Sequence, residues 1–134
     1  MLTHTIRDWL QRIGQPESWL HPRLSEMSDW SLILERDLVI KRICEEIRSG
    51  NLLVVCSDYD VDGLSSGTII TDCIRQCGGR VQMLVSSRFN MGGFGLTDKM
   101  VDRVLAIGQV STVVTCDFGG SDHDRIQRLK DNGI

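Results

Sequence analysis

The chain has 134 residues, 41% of them hydrophobic and 25% charged, and a formal net charge of −3. That suffices for one domain with an ordinary core, and the negative balance excludes a broad basic coat that grips nucleic acid by displacing counterions. No apolar run approaches the roughly 20 residues of a membrane helix, the N-terminus lacks a basic-then-apolar leader, and five cysteines without a secreted framework read as buried thiols, so a cytoplasmic protein with no membrane partner is expected.

In chain order, residues 1–30 read as an appendage. Gly14, Pro16 and Pro22 punctuate it, one short helix is predicted over Thr5 to Ile13, and Trp9, Trp19 and Trp30 are taken as packing residues, with stacking on unpaired bases as the alternative. The main domain is assigned to residues 31–134. Apolar residues at Leu34, Leu38, Ile43 and Ile47 predict a helix from Ser31 to Ser49, stopped by Gly50. Three aliphatic runs follow as strands, Leu52 to Cys56, Val81 to Val85 and Thr112 to Cys116. Helical periodicity after each predicts helices over Ser65 to Cys77, Thr97 to Ile107 with Thr97 as N-cap, and Asp122 to Asn132. This βαβ rhythm gives an α/β class, a three-layer Rossmann-like domain with a mainly parallel sheet. Right-handed crossovers place the first strand centrally, in the order 2-1-3.

Under that order the loops after Cys56 and Cys116 become neighbours at the carboxyl ends of the strands, where open α/β sheets bind ligands. They carry Asp58, Asp60 and Asp62, ahead of Gly63, and Asp117. Acids gathered so closely repel one another unless a cation sits between them, and carboxylate oxygens suit hard divalent ions. Asp-x-Asp-x-Asp-Gly also opens an EF-hand, but the twelfth position is Ile69 instead of glutamate and a strand precedes the loop, so that reading fails. A capping turn remains the plainer alternative, although one aspartate would serve it. After the second strand, Arg88 offers a planar fork for phosphate, and Gly93 and Gly95 let a substrate approach the main chain. Asp117-Phe118-Gly119 lacks the other protein-kinase motifs. His123 is assigned to a solvated helix start, and His4 and His21 to surface or packing roles.

Asp58-Tyr59-Asp60-Val61-Asp62-Gly63, Arg88-Phe89 with Gly93-Phe94-Gly95-Leu96, and Thr115-Cys116-Asp117-Phe118-Gly119 resemble the motifs of the DHH phosphoesterase superfamily, most closely the N-terminal part of RecJ-type single-stranded-DNA-specific exonucleases. Phe94 stands for that family's tyrosine and Phe118 for its asparagine. The resemblance implies that Asp60, Asp62 and Asp117 bind catalytic Mn²⁺ or Mg²⁺, that Asp58 assists in catalysis, and that Arg88, with Gly93 and Gly95, meets substrate phosphate. It implies 5′ to 3′ hydrolysis of single-stranded DNA or another phosphodiester by a metal-activated water. The superfamily's Asp-His-His motif would follow the next strand, so the α/β domain is expected to be incomplete at its C-terminus and weak or inactive alone. A complementing chain or a homo-oligomer could then meet the exposed sheet edge. The alternatives are a non-enzymatic nucleic-acid-binding or protein-binding domain, and an oligonucleotide or cyclic-dinucleotide phosphodiesterase.

Overall fold

Leu53, Val54, Val55 and Cys56 are wholly buried, which a strand achieves only with a layer on each face and a neighbour on each edge. They lie in β1 (Leu52–Ser57) of a computed structural model that describes residues 2–21, 23, 25, 27–87, 89 and 92–134. β2 (Arg80–Val85) and β3 (Val110–Cys116) run parallel to it on either side, in the order β2-β1-β3. The sheet is therefore the parallel one, in the order 2-1-3, that the repeating strand–helix pattern predicts.

Side chains alternate across a strand, so β1 feeds two cores. Leu53 and Val55 pack with Ile74 and Cys116, and with half-buried Ile43 and Ile47, on the face covered by α2 (Arg36–Arg48) and α3 (Val61–Gln76). Val54 and Cys56 pack with Leu96, Met100, Val104 and Leu129 on the other face, covered by α4 (Asp98–Ile107) and α5 (His123–Asp131). Gly67 lets α3 approach closely, since a Cβ there would lie 2.7 Å from both the Ser57 Cβ and the Met83 Cε. Cys56 and Cys116 are buried as expected, whereas Cys73 and Cys77 are exposed. Burial, with Cys116 beside it, pushes the Cys56 thiol up to about 12.

The pairing of β1 with β3 shifts register between Leu52, which faces Val110, and Leu53, which faces Thr112. Ser111 is the extra residue of a bulge, and its hydroxyl donates to the Leu52 carbonyl at 3.1 Å. Without the bulge Ser57 would face Thr115; with it, Ser57 faces Cys116, and the residues after each strand, Asp58 and Asp117, emerge side by side.

The chain divides into compact units at residues 1–36 and 37–134. Among the described residues, the first holds α1 (Leu2–Arg12) and the 3₁₀ turns Glu17–Leu20 and Trp30–Leu32. Trp9, Trp19 and Trp30 are each more than half exposed. The Arg36 guanidinium lies 4.1 Å from the centroid of the Trp30 ring. Pro22 lies outside the described residues. The helix expected from Ser31 starts only at Arg36, because Glu35 adopts a φ of 55° that no right-handed helix contains. Among the described residues, no helix is long and apolar enough to cross a membrane.

Candidate metal centre

Register does most of the positioning. Ser57 faces Val85 on one side and Cys116 on the other, so Asp58, Ser86 and Asp117 leave the sheet at one level. Both ladders continue one residue further, with the Asp58 amide donating to the Cys116 carbonyl at 3.4 Å and the Ser86 amide to the Ser57 carbonyl at 2.8 Å.

Asp58 is only 9% exposed, and a buried carboxylate needs donors. Its Oδ1 accepts from the Ser86 hydroxyl at 2.5 Å and from the Tyr59 amide at 2.8 Å. Asp60 adopts extended backbone as the N-cap of α3, and its Oδ1 accepts from the Gly63 amide at 3.0 Å. The positive end of that helix favours its charge. Helix α3 thus begins at Val61, four residues ahead of the Ser65 start expected, and Gly63 belongs to its first turn. A Cβ on Gly63 would fall 2.5 Å from the Asp58 carbonyl oxygen, so close passage over the acidic loop is what glycine supplies here. Asp117 turns out of β3 at a φ of 68°, a left-handed conformation that aspartate tolerates better than most residues.

One carboxylate oxygen from each of Asp58, Asp60 and Asp117 lies within 4.8 Å of the other two. Ligand oxygens around one small divalent ion are separated by about 3–5 Å, as bond lengths near 2.0–2.6 Å require, so this all-oxygen set fits Mg²⁺ or Mn²⁺. Asp117 registers the crowding. Although it is exposed, local desolvation, then the charge of Asp60 and a hydrogen bond with it, then the charges of Asp62 and Asp58, push its carboxyl above the usual aspartate value.

Asp62 lies exposed in the first turn of α3; its charge reaches Asp117, but it is not one of the three clustered carboxylates. Gly93 and Gly95 take φ values of 127° and 75°. The loop that carries them is tied to the start of α5, where the Asp122 carboxylate accepts from the Leu96 amide at 3.2 Å. Thr97 caps α4 as expected, accepting from the Met100 amide at 3.2 Å. Arg88 lies outside the described residues. His123 is exposed at the start of α5 and stands apart from the carboxylate group. Two participants were missed in the sequence, Ser86 and Asp122. Ser86 could have been found as the first residue after β2, at the level of Asp58.

No family model matches the chain. The single-stranded-DNA-specific exonuclease RecJ of Escherichia coli is 28% identical over 109 residues, which cover 81% of this chain and 18% of that protein. The RecJ of Haemophilus influenzae is 30% identical over 134 residues, covering 98% of this chain and 23% of that protein. This chain spans about a fifth of the length of these curated relatives. A crystal structure of exonuclease RecJ bound to manganese matches with a TM-score of 0.63 at 26% identity, covering 70% of this chain and 24% of that one. In sequence and in fold, the chain is homologous to the N-terminal region of the RecJ exonucleases of the DHH superfamily.

Proposed function

We propose that the chain is a divalent-metal-dependent phosphodiesterase module that acts on single-stranded DNA. The observation that carries this reading is the gathering of Asp58, Asp60 and Asp117 at the carboxyl end of a parallel sheet, in a chain homologous to RecJ exonucleases. These three side chains would hold Mn²⁺ or Mg²⁺, with Asp62 adding negative charge from the next helical turn. A bound ion of this kind polarises phosphoryl oxygen and generates hydroxide from water near neutral pH.

The chain's own residues supply orientation. Ser86 and the Tyr59 amide hold one oxygen of Asp58, and the Gly63 amide holds one oxygen of Asp60, which fixes both carboxylates against rotation. Phosphate binding is assigned to Arg88 and to the main chain at Gly93 and Gly95, Arg88 by its place in the loop that follows β2. A second reading, a binding module without catalysis, is favoured by the composition of the cluster, which among the described residues holds carboxylates and no histidine.

The test is incubation with end-labelled single-stranded DNA and Mn²⁺, alongside chelator and an Asp60→Ala variant. Trimming that needs both Mn²⁺ and Asp60 supports the enzyme. Binding that needs both, without trimming, supports the second reading. Binding or cleavage indifferent to Asp60 contradicts both.

A further inference from the structure

Phenylalanine is usually buried, yet Phe89 and Phe94, two of the chain's three phenylalanines, are 93% and 62% exposed on the loop after β2. Phe94 is exposed without being loose. Its ring meets that of Tyr59, the chain's single tyrosine, at a centroid distance of 5.8 Å and an interplanar angle of 37°, within the range that favours aromatic pairs. Tyr59 stands between two clustered carboxylates, one Cα step of about 3.8 Å from Asp58 and from Asp60. On the other side, the bond from the Leu96 amide to Asp122 anchors the loop. An apolar ring is thus held open to solvent, backed by the ring of the residue that separates Asp58 from Asp60 in the chain.

We propose that the Tyr59–Phe94 pair is a stacking platform for the unpaired base of the nucleotide whose phosphate lies at the carboxylate cluster. The inference rests on the phosphodiesterase reading above and assigns contact with the substrate's unpaired base to these two side chains. Every base has a π-face, so such a platform selects for single-strandedness with little regard to sequence. Backing by Tyr59 leaves Phe94 less freedom to lose on binding, which strengthens the contact.

The test uses the whole chain with Mn²⁺ and two internally labelled oligonucleotides of identical sequence, one intact and one abasic at both terminal nucleotides. The intact strand is expected to bind about 10-fold more tightly, the lower part of the range for stacking one base. Phe94→Ala and Phe94→Leu, each verified as folded by circular dichroism, should erase that preference, and Phe94→Trp should keep it. Equal Mn²⁺-dependent affinity for both strands, or a preference that survives Phe94→Ala and Phe94→Leu, overturns the stacking inference and leaves the metal reading standing. Binding and melting temperature that both ignore Mn²⁺ overturn the metal reading and this inference with it.

Discussion

Asp117 is the residue at which the absence of a cation should be most visible. Its carboxyl is raised by local desolvation and by Asp60, Asp62 and Asp58, so the folded chain holds that proton more tightly than the unfolded chain does. Ionising Asp117 therefore costs stability. The cost is absent below the unfolded aspartate range near pH 4 and grows as pH rises through the raised folded value. Metal-free Asp117→Asn should accordingly melt higher than the parent, by a margin that widens as pH rises from about 4, while losing the response to Mn²⁺. Paired melting curves across that range would show it, and a constant margin would contradict it. Gly63 is constrained by space instead of charge. With a Cβ 2.5–2.7 Å from three backbone atoms of Asp58, Gly63→Ala should cost roughly 1–3 kcal/mol in denaturant unfolding and weaken Mn²⁺ binding, because α3 must retreat from the acidic loop.

At the scale of elements, the sheet and its order were legible because an apolar run buried on both faces leaves an unbroken signature, here Leu53 to Cys56, and repeated strand–helix units permit few topologies. The membership of the cluster was harder to read. Asp58, Asp60 and Asp62 alternate as if they shared one strand face, but the strand ends at Ser57 and a helix begins at Val61. The strand period of two no longer applies there, and Asp62 follows a helical turn. Asp60 is both a helix cap and a clustered acid, so the plainer capping alternative and the metal reading describe the same side chain. Nor does any residue pattern announce the bulge at Ser111, which sets Asp58 beside Asp117.

Glu46 on α2 secures that bulge. It is 6% exposed and receives Asn51 Nδ2 at 2.7 Å and the Arg42 guanidinium at 2.8 Å. A bond from Asn51 first and the Ser111 hydroxyl next, shared with the Leu52 carbonyl, then the charge of Arg42 and the Thr112 hydroxyl, outweigh burial and lower its carboxyl below the usual glutamate value. Glu46→Ala should cost about 2 kcal/mol, as expected for charged hydrogen bonds, read from the urea midpoint. The contribution of Glu46 is fully present above the unfolded glutamate value near pH 4.3 and is lost as pH falls through the lowered folded value. The two proteins should therefore converge in stability in acid, and a gap that widened there would contradict this role.

At the scale of the molecule, the two-faced sheet places β1 centrally, so its carboxyl end is the one point where loops from both flanking strands converge. Homology to the N-terminal region of RecJ exonucleases accords with that convergence and with the proposal that Asp58, Asp60 and Asp117 jointly bind one divalent cation. Calorimetric titration of the chain with Mn²⁺, paired with its melting temperature, tests this most directly. Saturable binding at this cluster and stabilisation of about 1.4 kcal/mol at ten times the dissociation constant are expected, both abolished by Asp60→Ala. Melting indifferent to Mn²⁺, or an equal response from Asp60→Ala, would contradict it.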